Sequence, residues 1–336
     1  MGTEMKWGAD GYSRVQKQSV YGTAVTGAMS TVPIRGGAIR SIIVQMIENA
    51  NIIAQRYRQL PNKGRKVNNF SLPMSIYPDD IGMWMNFFLG AATSAAVGDG
   101  AYNHYWLQEL SAERDGSIFT YDFAQGAELE EQLIGCMINK IIINSDNEGN
   151  VTFTVEGVAK DYATDKARIT SFAYSSKIPY AFKHVSITEN GLGDISASIE
   201  SINLEIDLAH DVEKFRLGDD TIKRMVFNGI PIITMDLTVD AEQQWIDAAR
   251  AYTDYDFTVA FTSTENAGTT PTVFSFAIEM PRCRLNPELA HPEESMERLK
   301  HDLSFIADYG GTTTNSGTDN VAFEIRVTDD TATYTA

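Results

Sequence analysis

The sequence predicts a mainly β protein of two tandem domains, each with one flanking α-helix. Three observations predict it. Leu72-Ser-Met74-Ser-Ile76 alternates apolar and polar residues, reaches Pro78-Asp79 and turns into Met83-Trp84-Met85-Asn86-Phe87-Phe88. Ile233-Thr-Met235-Asp-Leu237-Thr-Val239 alternates in the same way, reaches Asp240 and turns into Gln244-Trp245-Ile246-Asp247. The spacing from Asp to Trp is five in both. A period of two that changes to a helical period at an Asp suited to N-capping describes a half-buried strand running into a helix, written twice. Arg56-Tyr57-Arg58 and Lys214-Phe215-Arg216 hold matching places before each strand, and each half has one cysteine, Cys136 or Cys283. A chain carrying two copies of one unit satisfies ring symmetry with half as many subunits.

Residues 1–38 predict an irregular arm, with too little apolar periodicity for a core. The first domain is placed at 39–175, opening with a β-rich segment from Ile39 to Ala50. A polar excursion with a Pro61-Asn62-Lys63-Gly64 turn follows, then the strand through Ile76 and the Trp84 helix to about Gly90. Further strands are expected at Tyr102–Leu107, Ile118–Phe123, Met137–Ile143 and Val151–Val158, the last two joined by an Asp146-Asn147-Glu148-Gly149 turn. The second domain, 176–336, opens with the clearest alternation in the chain: Ile202, Leu204, Ile206 and Leu208 face one way, Asn203, Glu205 and Asp207 the other.

Length and composition fit two cores: 336 residues, 43% hydrophobic, with no apolar run long enough to span a membrane as a helix. The N-terminus lacks the apolar stretch of a secretory signal, which predicts synthesis and folding in a cytoplasm. Two cysteines make no disulfide framework and predict small buried side chains. The net charge of −18 argues against tight nucleic-acid binding. Charge is uneven, with 15 basic and 18 acidic residues through residue 175 against 12 and 27 beyond it. Arg56, Arg58, Lys63, Arg65 and Lys66 fall within eleven residues. They form either a solvated loop or a basic hairpin tip that docks on an acidic neighbouring copy, a subunit or ring interface.

The sequence offers no catalytic grammar and predicts neither an enzyme nor a cofactor. His104, His184, His210, His291 and His301 lack metal-ligand spacing, and there is no Gly-x-Ser-x-Gly elbow, phosphate loop or dinucleotide fingerprint. Asp79 and Asp80 suit helix capping better than an acid–base pair. Asp146 to Asn150 lacks the downstream Glu of a calcium loop.

Several segments together resemble the major tail tube proteins of long-tailed, non-contractile bacteriophages. Gln18-Ser19-Val20-Tyr21-Gly22-Thr23-Ala24-Val25 resembles the family's opening segment, with Gln18 in place of the usual acid. Ile134-Gly135-Cys136-Met137-Ile138-Asn139-Lys140-Ile141 is similar to its small-residue-plus-Cys strand start. Gly149-Asn150-Val151-Thr152-Phe153 resembles the return strand and Gly157-Val158-Ala159-Lys160-Asp161 the polar exit. Ile202 to Leu208 and Phe276-Ala-Ile278-Glu-Met280-Pro281 resemble strands of the second domain. The resemblance covers most of the chain, and the order of the short motifs carries it.

The resemblance implies tail-tube β-sandwich domains whose strands join an oligomeric β-barrel around a lumen, in rings that stack into a conduit for genomic DNA. Six domains per ring, from three two-domain copies, would make trimeric pseudo-hexamers. Implied partners are further copies of the chain, tail terminator and distal tail proteins, and double-stranded DNA in transit without specific binding. The implied location is the virion tail, assembled in the host bacterial cytoplasm. Asn203, Glu205 and Asp207 are candidates to line the lumen, where negative charge repels phosphates. The alternatives are another phage or contractile-system ring or tube component, and a β-sandwich carbohydrate-binding module. The latter needs an exposed aromatic platform, and Trp7, Trp84, Trp106 and Trp245 do not cluster in sequence.

Overall fold

The computed structural model describes residues 12–25, 29–36, 38–47, 62–109, 116–125, 129–164, 173–211, 215, 217, 219–223, 226–227, 229–240, 242, 245, 247, 253–269, 272–286 and 300–334. It is mainly β. The chain runs β1 (Tyr12–Lys17), β2 (Ser30–Thr31), β3 (Ile39–Ile47), β4 (Asn62–Ser75), α1 (Ile81–Leu89), β5 (Thr93–Gly98), β6 (Ala101–Glu109), β7 (Phe119–Gln125), β8 (Leu129–Ser145) and β9 (Thr152–Ala163). It continues with β10 (Val185–Glu189), β11 (Gly193–Asp194), β12 (Ile199–Asp207), β13 (His210–Asp211), β14 (Val226–Phe227), β15 (Ile232–Asp240), β16 (Asp254–Asn266), β17 (Val273–Leu285), β18 (Lys300–Ala307) and β19 (Val321–Asp329). Among the described residues seventeen of these strands form one sheet that does not close on itself, and β13 and β14 pair separately.

Two runs of the sheet have the same order. One is β2-β1-β7-β8-β9-β4-β3. The other is β11-β10-β16-β17-β18-β15-β12. Side chains repeat with the strands. Met74 pairs with Phe153, and Met235 with Phe305. Phe119 lies opposite Cys136 and Tyr255 opposite Cys283, but in a different register from the Met–Phe pairs: Cys136 pairs with Ala159, six residues from Phe153, and Cys283 with Ala307, two from Phe305. Both cysteines are free and buried, and burial raises both thiol pKa values above the ordinary range.

The runs are joined twice. On one side β8 reaches past its hairpin to pair Lys140–Ser145 with Asp207–Ile202 of β12. On the other, the β5–β6 hairpin, inserted after α1, pairs through β6 with β19, which also pairs with β17. His104 at this second junction is fully buried, with Nδ1 2.8 Å from Ser94 Oγ and Nε2 3.1 Å from Asp329 Oδ1.

α1 is short and buried almost all round. Trp84 and Phe87 pack with Phe119 at ring-centroid distances of 6.1 and 4.6 Å. Gly82 faces Tyr334, where a Cβ would fall 2.5 Å from the hydroxyl oxygen, so only glycine lets the C-terminal strap cross the helix. In the second half Trp245 is helical and fully buried, 6.1 Å from Tyr255 and 6.2 Å from Phe305. Most of its neighbours in sequence lie outside the described residues.

Two sequence expectations are corrected. The N-terminal arm is not irregular throughout: β1 pairs with β7 over six residues and buries Tyr12 and Val15. Its periodicity is hidden because polar pairs fill apolar places; Arg14 Nη2 donates to Asp122 Oδ2 at 2.7 Å, both side chains buried, and Tyr12 donates to Glu130. Nor do the carboxylates before α1 cap it. Asp80 occupies the N-cap without a side-chain cap bond, and Asp79 instead accepts from Ser175 Oγ at 2.7 Å.

The glycines of two resembling motifs meet. Gly22 and Gly135 both have positive φ, +75° and +68°, and a Cβ on Gly135 would lie 3.4 Å from the Gly22 nitrogen and 3.1 Å from the Tyr21 ring. A left-handed turn and a close approach are both satisfied by glycine.

Trp84→Ala and Trp245→Ala should each cost about 3–5 kcal/mol of unfolding free energy by chemical denaturation, because each leaves a large cavity at a matching core position. Burial, then the charge of Asp79, raises Asp80 to a pKa of about 7. A raised carboxyl pKa stabilises the fold when protonated, so stability should fall as pH rises from about 4 through about 7. Asp80→Asn should remove that slope and raise the melting temperature at pH 8, the free-energy gain being at most on the order of 4 kcal/mol; thermal denaturation across pH checks this.

Candidate functional site: the polar face of the joined sheet

The β8–β12 joint continues one wall across both halves, in the order β3-β4-β9-β8-β12-β15-β18-β17. Alternation gives this wall an apolar face on the core and a polar face opposite. Leu72, Met74, Phe153, Val155, Ile141, Ile143, Leu204, Ile206, Met235 and Leu237 are all buried. The residues between them make the other face.

Asn203, Glu205 and Asp207 are all on that polar face and half-buried by its network. Asn203 Nδ2 donates to Asp236 Oδ2 at 3.2 Å, and Ser304 Oγ to Asp236 Oδ1 at 2.6 Å. Lys140 Nζ reaches Glu205 Oε1 across the joint at 2.7 Å. Asn139 Nδ2 donates to Asp207 Oδ1 at 3.2 Å, and the same oxygen accepts from Ala209 N at 2.7 Å. Farther along, Thr238 Oγ1 donates to Asp302 Oδ1 at 2.9 Å, and Ser71 Oγ to Glu156 Oε1 at 3.1 Å. Burial alone would lower the Lys140 pKa, but the hydrogen bond and charge of Glu205, with Glu156 and Asp207, raise it. One cation thus sits among the carboxylates of Glu156, Glu205 and Asp207, and Asp236 and Asp302 extend the acidic band.

Two open depressions follow the face. One, of about 480 Å³, spans β8, β12, β15 and β18 and includes Asn144, Asn203, Asp236, Thr238, Asp302 and Ser304. The other, of about 520 Å³, includes Ile39, Ser41, Ser71, Lys140, Glu156 and Asp207. Among the described residues no group of three or more His, Cys, Asp or Glu side chains could hold a metal ion. The face presents carboxylates, hydroxyls and amides, with Lys140, Lys300 and the exposed Ile39, Ile232 and Ile306 among them, not a nucleophile and base in a cleft.

Sequence reasoning found β12 and missed Lys140, Glu156, Asp236 and Asp302. Asp236 stood in a recognised alternating strand, but only pairing between distant strands shows that these residues share a face.

The basic excursion is brought together only in part. Lys63 is exposed at the base of the β3–β4 hairpin. Arg65 lies over the Phe215 ring, 4.9 Å from its centroid. Lys66 Nζ pairs with Asp161 Oδ1 at 2.7 Å, and its backbone N–H donates to the Asp220 carbonyl at 2.7 Å. Arg56 and Arg58 lie outside the described residues. Trp84, Trp106 and Trp245 are buried, so none supplies an exposed aromatic platform, and Trp7 lies outside the described residues. No helix among the described residues is long and apolar enough to cross a membrane.

A family model described as phage tail tube protein matches residues 8–334. No curated protein matches the chain.

Proposed function

The chain belongs to the phage tail tube protein family, a structural component of the virion tail, and from that premise we propose that it polymerises as stacked rings into a conduit for genomic DNA. The observation that supports this most is the unclosed wall whose acid-rich polar face runs unbroken through the β8–β12 joint. In this reading residues 39–175 and 176–336 are two tail-tube domains, and each gives four strands to a shared barrel whose inner surface is the polar face. Three copies would then supply twenty-four strands. At about 4.8 Å between strands the backbone circle has a radius of about 18 Å, and strand tilt widens it.

An inner wall carrying Glu156, Glu205, Asp207, Asp236 and Asp302 repels phosphates and keeps a hydration layer between protein and DNA, so the duplex slides without being held. The tube would be that of a long, non-contractile tail, built in the host bacterial cytoplasm between a tail terminator and distal tail proteins. The second reading, another ring or contractile-system tube component, shares the fold and differs in what surrounds it.

Negative-stain microscopy of the purified protein tests the assembly: tubes or stacked rings with a central channel are expected, and only dispersed monomers would contradict it. Glu205→Lys with Asp207→Lys should leave tubes intact and slow DNA ejection from phage carrying them; unchanged ejection, or side chains on the outer wall of the tube, would remove the lumen assignment.

The basic excursion is assigned to contacts between copies. Exposed pairs contribute only about 0–1 kcal/mol each, but repetition round a ring adds them up. Reversing Arg56, Arg58, Lys63, Arg65 and Lys66 to Glu should block elongation in light scattering and microscopy, and wild-type elongation should slow with salt. Because Lys66 and Arg65 also hold contacts within the chain, a variant limited to Arg56, Arg58 and Lys63 should block elongation with an unchanged melting temperature. Normal tubes from both variants would return the loop to a solvated tip.

A further inference from the structure

The duplicated wall has one matching place whose charge is opposite in the two halves. Ser75 pairs with Thr152 next to the Met74–Phe153 pair, and Asp236 pairs with Ser304 next to Met235–Phe305. In the second half the side chain laid on that pair is Asn203, whose Nδ2 donates to Asp236 Oδ2, so the place carries a carboxylate. In the first half it is Arg35. Its Nε donates to Ser75 Oγ at 3.1 Å and its Nη1 to Thr152 Oγ1 at 2.6 Å, so the guanidinium spans β4 and β9 on the polar face. Its backbone N–H donates to the Pro73 carbonyl at 2.8 Å, which fixes where the side chain starts.

Other cations of this face sit beside carboxylates: Lys140 with Glu205 at 2.7 Å, Arg284 with Asp254 at 2.6 Å, and Lys300 with Glu200. Arg35 is exposed, has hydroxyl partners, and among the described residues has no carboxylate partner. Hydroxyl acceptors orient a guanidinium and neutralise none of its charge, and they leave further N–H donors of the planar fork unspent. The surroundings favour an anion more than the rest of the wall does. Thr152 pairs with Asn144 and Asn144 with Asn203, and with Asn150 these line the depression of about 480 Å³. Asp146 at its rim already accepts the Glu148 N–H. Glu156, farther along β9, is about 13 Å from Thr152 at the usual strand rise, beyond a Debye length of about 10 Å.

We propose that Arg35, oriented by Ser75 and Thr152, is a contact for the backbone phosphates of DNA in transit, set in a wall that otherwise repels them. Guanidinium, hydroxyl and amide donors are the groups that take phosphate oxygens, and such a contact reads no base sequence. Cationic places at Arg35 then alternate round the channel with carboxylate places at Asp236. One cation per copy against Glu156, Glu205, Asp207, Asp236 and Asp302 makes each contact brief, so it centres and slows the duplex without stopping it. This rests on the reading of the polar face as the inner wall of a tube.

Phenylglyoxal, which adds to accessible guanidinium groups, tests it on tubes of the full-length protein, with peptide mapping by mass spectrometry. Arg35 should be labelled faster than Arg284, and a short DNA duplex should lower its labelling severalfold at low salt and not at high salt. Inorganic phosphate at the same phosphate concentration should protect far less; equal protection would make the place a small-anion site and overturn the DNA contact. In phage, Arg35→Gln, which keeps donors for Ser75 and Thr152 without the charge, should eject DNA faster than wild type at low salt, and Arg35→Lys should stay near wild type. No protection by duplex, or equal ejection times for Arg35→Gln and wild type, in tubes whose reconstruction places Arg35 in the channel would overturn the contact and leave the tube reading in place. Arg35 on the outer wall of the tube would overturn both.

Discussion

The molecule depends on one strand doing three jobs. β8 is long enough to pair with β7 at its start, with β9 along most of its length and with β12 at its end. Its inward Ile138, Ile141 and Ile143 are buried in the main core, and outward Lys140 ties to Glu205. A half-buried ion pair at the wall surface adds little by itself. The backbone ladder with the burial of Ile141, Ile143, Leu204 and Ile206 fixes the register, because a slip of one residue would turn each of those side chains toward the polar face. Once that register is set, Asn203, Glu205 and Asp207 must share a face with Asp236 and Asp302.

The second junction has a different character. β6 and β19 hold the halves together through buried polar contacts around His104, Asp329 and Tyr334, whose hydroxyl donates to Asp329 Oδ2 at 2.8 Å. Tyr334 also covers Gly82 of α1. Two ties at separate strands resist hinging better than either alone.

Local pattern made much of this legible. The strands through Ile76 and Leu208, the helix at Trp84 and the Asp146 turn lie where alternation, helical period and turn residues put them; Asp146 Oδ1 accepts the Glu148 N–H at 3.0 Å and Gly149 has φ +85°. What stayed hidden depends on partners distant in sequence. β1 looked irregular because Arg14 is buried by Asp122, 108 residues away. Asp80 looked like a cap, but burial leaves its Oδ2 without a hydrogen-bond partner. The acidic face was visible one strand at a time, and its extent was not, since β8 and β12 are brought together by folding and not by a turn. The motifs at Gly22 and Gly135 share a positive φ that favours glycine at both, and the Gly135 position also faces Tyr21 and the Gly22 nitrogen.

The central claim is that the polar face of the joined sheet is the inner wall of a tube. Helical reconstruction by electron cryomicroscopy of tubes grown from the unmodified protein tests it most directly. The account predicts a closed β-barrel in which the Glu205, Asp207, Asp236 and Asp302 side chains point into the channel. A tube in which that face is buried against a neighbour or turned to the outside would contradict it.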